Sequence, residues 1–151
     1  MKIKELIEIL KEQKSNLNSL LEIVKEKQEI LITNKLKQLP DYIALEEKKL
    51  LTIQITEEKR LRVMQELFTE YNIKSERFKI EILIDALKQT VPGNLLVELK
   101  NKETEMKTLI KEVTKINQQN LLLVQQSSQI ISETVKAVIE TSNRSIIDRK
   151  G

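Results

Sequence analysis

The chain predicts an all-α fold, an elongated antiparallel helical bundle or coiled-coil-like hairpin of three long helices plus one short helix. Three observations carry that expectation. Leu, Ile and Val alternate with Lys and Glu through most of the 151 residues, the mix found in long helices and coiled coils. Turn residues are scarce, with two Gly and two Pro, where a sheet protein of this size would need many. Apolar residues also recur at sevens rather than in alternation. The length suits one domain, and 40% hydrophobic residues can bury a core of moderate size. That core must be aliphatic, because Tyr42, Phe68, Tyr71 and Phe78 are the only aromatics. A single helical domain over 1–144 followed by a flexible tail, SIIDRKG at 145–151, is the expected organisation.

The first helix is expected over about 2–38. Ile3, Leu10, Leu17, Val24 and Leu31 are spaced by seven, and Leu6, Ile7, Leu20 and Leu21 fill the alternate seam position. Polar breaks fall at Gln13/Lys14 and Lys27/Gln28. Pro40 cannot continue this helix, since it lacks an amide hydrogen and would clash with the carbonyl of Leu36. It suits the first turn of a second helix, placed at 40–70, with Ile43, Leu50, Leu51, Leu61, Met64, Leu67 and Phe68 as the apolar side. A short third helix at 75–90, capped by Asn72 or Ser75, holds Phe78, Leu83, Ile84 and Leu87, although IEILI at 80–84 also has strand character. Pro92-Gly93 makes the following turn, and from the cap residue Asn94 a fourth helix meets no Pro or Gly to about Asn143.

The fourth helix carries three neighbouring rows at sevens. Leu109, Ile116, Leu123, Ile130 and Ala137 form one; Ile110, Asn117, Val124, Ile131 and Val138 lie beside it, and Met106, Val113, Asn120, Ser127 and Thr134 form the third. A face this broad exceeds a two-stranded seam. At 1.5 Å per residue the first, second and fourth helices would be about 54, 45 and 75 Å long. The last would then outrun a hairpin of the first two by about 20 Å, leaving an apolar face from roughly Ile130 without a partner in the chain.

Charge follows the same division. The 26 basic and 23 acidic residues are interleaved along the helices, giving a net charge of +3 and a solvated surface. Between Ile116 and Asn143, however, only Glu133, Lys136 and Glu140 are charged. Gln118, Gln119, Gln125, Gln126 and Gln129 flank the wide face instead. Uncharged amides cost less to desolvate than ions, and contact surfaces are depleted of charge at their centre, so this composition points to a partner-binding helix. Asn117 and Asn120 on that face either fix helix register or pair with a partner. Candidate partner-binding residues are Asn117, Asn120, Leu123, Val124, Ser127, Ile130, Ile131, Thr134, Val135 and Val138.

Other chemistry is thin. With neither Cys nor His, zinc sites of those ligands, disulfides, imidazole bases and Ser-His or Cys-His pairs are excluded. No catalytic residue, metal or cofactor is assigned, and an enzyme is not expected. Glu46-Glu47 and Glu57-Glu58 read as solvated faces, and Arg60, near the apolar side, as a structural bridge between helices. No basic stripe with stacking aromatics suggests nucleic acid. The charged start MKIKELIEILKEQK is unlike a signal peptide, and no apolar run approaches the ~20 residues of a membrane span.

Three stretches together resemble the FlgN-type flagellar export chaperones: LLEIVKEKQEILITNKLKQL at 20–39 after an opening L-x-x-I-L, IALEEKKLLTIQITEEKRLRV at 43–63, and INQQNLLLVQQSSQIISETV at 116–135. The resemblance covers nearly the whole chain through helical patterns rather than a catalytic signature. It implies a cytoplasmic, all-helical chaperone for hook-filament junction proteins, which holds the client's C-terminal helical region with its late helix, prevents premature assembly and delivers it for export. Asn117 to Val135 would be the client-binding element. Export gate components enter as further partners, although the aromatic that some relatives carry in this helix is absent here after Phe78. A homodimer without client, or a self-associating coiled-coil scaffold, is the competing expectation.

Overall fold

Asn34 and Asn72 both take positive φ, at 55° and 51°, and each ends a long helix. In a computed structural model that describes the backbone of residues 1–150, and every side chain there except 127–131, 134 and 142–150, α1 is Lys2–Ile32. Beyond it the Lys35 amide reaches back to Ile30 O at 3.0 Å, a bond closed by the left-handed residue between, and the Thr33 amide and hydroxyl both bond Glu29 O. The first helix therefore stops six residues short of the expected 38, because Asn34 acts before Pro40 can. A 3-10 turn, Leu36–Gln38, leads into α2, Leu39–Glu70, with Pro40 in its first turn.

The end of α2 repeats the device, with Ile73 N donating to Phe68 O at 2.8 Å around Asn72. Asn72 thus closes α2 instead of capping the next helix. Ser75 is taken up in a local turn with Arg77, and α3 is only Ile80–Leu87, shorter than the expected 75–90. IEILI is helical because Ile80, Leu83 and Leu87, at i, i+3 and i+7, all face the core. α4 is Gly93–Lys150, with Pro92 O accepting from Leu95 and Leu96. It starts one residue before Asn94 and passes the expected limit at Asn143, so that 145–150, assigned above to a tail, continue the helix; no Gly or Pro interrupts it. No strand occurs among the described residues.

The architecture is the all-α bundle expected, with α1 at its centre. α1 packs on both α2 and α4, whereas α2 and α4 hardly approach one another. Lys2–Glu66 at 2.9 Å and Lys27–Glu46 at 2.6 Å make α1 and α2 an antiparallel hairpin. Lys11–Glu98 at 3.4 Å and Lys14–Glu105 at 3.0 Å set α4 parallel to α1. A larger core at the base joins Ile3, Leu6 and Leu10 to Met64, Leu67, Phe68, Leu83, Leu87 and Leu99. A smaller one higher up joins Leu20, Leu21 and Val24 to Val113, with Ile53, Leu109 and Ile116 packed around it. Gln13, read above as a polar break, is buried in the seam, where its amide donates to Ile53 O at 3.3 Å.

Candidate partner-binding site

Asn120 fixes where α4 leaves the bundle. Its side chain is buried, and Nδ2 donates to Val24 O of α1 at 3.0 Å. Gln28 donates to Gln119 Oε1 at 2.8 Å one turn above. Since α1 ends at Ile32, its end lies level with roughly residues 123–128 of α4, and the remaining 22–27 residues project about 33–40 Å beyond it. The projection is longer than the 20 Å expected because α1 stops early and α4 runs on.

Around and beyond the end of α1, α4 leaves several apolar side chains uncovered. Leu121, Leu122, Val124, Val135, Val138 and Ile139 are all exposed, between 43% and 59%. Of the sequence candidates, Asn120 faces α1, Asn117 and Leu123 are half-buried, and Val124, Val135 and Val138 are exposed. Ser127, Ile130, Ile131 and Thr134 lie outside the described side chains. Asn117, Asn120 and Val124 come together in a groove of about 250 Å³ whose other walls are Lys27 and Leu31 of α1, Leu39 and Ile43 of α2, and Leu121.

That groove is the upper section of a trough. Because α2 and α4 flank α1 without meeting, a channel runs between them with α1 as its floor. A middle section of about 350 Å³ lies between Leu50 and Ile53 on one side and Ile110 and Val113 on the other, over Gln13, Leu17 and Leu20. A lower section of about 480 Å³ lies between Arg60 and Met106, with Phe78, Lys79, Ile80 and Glu81, at the start of α3, also lining it. The α2 wall was not read from the sequence. No residue of α2 before Thr56 is buried, and Ile43, Leu45, Leu50, Leu51 and Ile55 are exposed. The available signal was that these apolar residues lie on more than one face of the helix, more than a single contact with α1 could cover.

The charged groups serve the scaffold. Arg60 makes a two-point pair with Glu57 of its own helix, Nε at 2.8 Å and Nη2 at 2.6 Å, rather than bridging helices. Glu81 of α3 takes Lys107 Nζ at 3.0 Å and Lys100 at 3.6 Å. The hydrogen bond from Lys107 holds the Glu81 carboxyl down at about 2. Among the described residues no group of acidic side chains could hold a metal ion, and no helix is long and apolar enough to cross a membrane. What the arrangement offers is apolar surface and amides, suited to holding a polypeptide.

A family model described as FlgN protein matches residues 1–147. No curated protein and no solved structure matches.

Proposed function

Because the chain belongs to the FlgN protein family, whose members are flagellar export chaperones and not enzymes, we propose that it holds hook-filament junction proteins through the projecting part of α4. The C-terminal helical region of the client lies along the exposed stripe in the helix-in-groove mode, with Val124, Val135 and Val138 as anchors and the flanking glutamines as adaptable polar contacts. Covering that region in the cytoplasm prevents premature assembly, and the complex delivers the client to the export gate. The observation that carries the reading is the exposure of Leu121, Leu122, Val124, Val135, Val138 and Ile139 on a helix that outruns its own bundle.

The bundle supplies rigidity and the projection supplies contact. Ending the chain after Glu112 would remove Val113 and Asn120 from the core, so loss of binding there would mix unfolding with loss of contact. Ending it after Gln126 leaves both in place. In co-expression with the junction protein of the same flagellar system, the chain ended at Gln126 is expected to lose the client in affinity pull-down. If it still retains the client at undiminished affinity, the projecting helix is not the binding element.

A further inference from the structure

The trough between α2 and α4 is mostly aliphatic along its middle and upper sections and is closed at its foot by the start of α3. From Met106 to Val124 its α4 wall measures about 27 Å, or five turns of helix. Ile43 and Leu50 on one wall and Ile110 on the other are 40–47% exposed, so neither wall is satisfied by the bundle. The rims differ in sign. Glu47 and Glu58 stand one step outside the row Ile43, Leu50 and Leu61 of α2, whereas Lys107 and Lys111 stand one step outside Ile110 and Thr114 of α4, and all four are exposed. Two buried acceptors deep in the trough have no hydrogen-bond partner, Gln13 Oε1 in the middle section and Asn120 Oδ1 in the upper one.

Asn120 bonds the carbonyl of Val24, so the two acceptors stand about eleven residues, or about 16 Å, apart along α1. Eleven residues of α-helix make three turns to within about 20°, so one helix can present donors to both from a single face. We propose that the trough receives a second helical segment of the exported client, about 18 residues long, next to the segment held by the projection. The inner face of that segment is aliphatic with two donors, from Ser, Thr, Asn or Gln, about eleven residues apart. Its flank toward α2 is basic and its flank toward α4 acidic, complementing the rims. Before Thr56 no side chain of α2 is buried, so this wall can shift outward far enough for the donors to reach the two oxygens. Val124 belongs both to the trough and to the exposed stripe, which makes them one continuous track. This seat rests on the reading that the chain holds a client, and it adds that α1 and α2 share the contact with α4.

The test uses the full chain and the purified junction protein of the same flagellar system. Leu50→Glu and Ile110→Glu place a charge on either wall, and each is expected to weaken binding about tenfold or more in titration calorimetry, with unchanged circular dichroism. Leu51→Glu, at a 57% exposed position turned about 100° away on α2, should stay within about twofold of the parent. The absence of Cys allows a second readout that no folding defect mimics. A benzophenone attached to Leu50→Cys is expected to cross-link to the client, and one attached to Leu51→Cys is not. A parent chain that takes up no client sinks the function proposed above. A parent that binds, with either Leu50→Glu or Ile110→Glu within about twofold of it or with equal cross-linking from the two Cys variants, overturns the trough alone.

Discussion

Asn120 shows how a single side chain can carry both structure and opportunity. Its Nδ2 bond to Val24 O contributes about 1 kcal/mol net, while its unpartnered oxygen costs a comparable amount. Asn120→Leu should therefore leave stability to urea within about 1 kcal/mol of the parent, whereas Asn120→Asp, which puts a carboxylate against a carbonyl, should cost at least about 2 kcal/mol. Equal losses for both would remove the amide from any structural role. Glu81 titrates in the opposite sense to a buried acid. Its folded value of about 2 lies below the ordinary 4.5, so its contribution is present above pH 4.5 and is lost as pH falls toward 2. Exposure and screening keep that contribution under about 1 kcal/mol. The difference in thermal midpoint between the parent and Glu81→Gln should shrink over this range, and a gap that widens on acidification would contradict the pairing with Lys107.

At the scale of elements, α2 is two helices in energetic terms. From Thr56 onward Val63, Met64, Leu67 and Phe68 enter the base core; before Thr56 nothing is buried. Leu67→Ala should cost about 2–5 kcal/mol, and Leu51→Ser, at an exposed site, under about 0.5 kcal/mol, in the same denaturation series. These two halves also mark the limit of what was legible in the sequence. Apolar spacing located the three long helices and cap signals the short one, whose 80–84 run also had strand character. Pro40 and Pro92-Gly93 located two of the three junctions, because a missing donor acts locally. Asn34 and Asn72 were not read as helix ends, since an Asn in left-handed conformation has the same letter as one in a cap or on a surface. The exposed stripe of α4 was legible as a loss of charge, whereas its counterpart on α2 depends on helix spacing across α1, a tertiary fact that no single segment encodes.

For the whole molecule, length mismatch decides the outcome. The bundle closes near Asn120, and the described side chains beyond Gln126 are all exposed, so deleting everything after Gln126 should cost little core. The thermal midpoint of that chain should stay within about 3 °C of the parent, corresponding to a change under about 1 kcal/mol. A large drop would mean that the projection packs on its own bundle. The central position of α1 also has a consequence in time. On the ribosome, α1 and α2 can close as a hairpin once Glu70 has emerged, yet the α1 face formed by Leu20, Leu21 and Val24 awaits Leu109, Val113 and Ile116. At about 5–20 residues per second that face stays uncovered for roughly 2–9 s of synthesis. Every nascent copy therefore passes through a stage in which the surface later reserved for α4 is open to trigger-type holding factors or to a neighbouring chain on the same message.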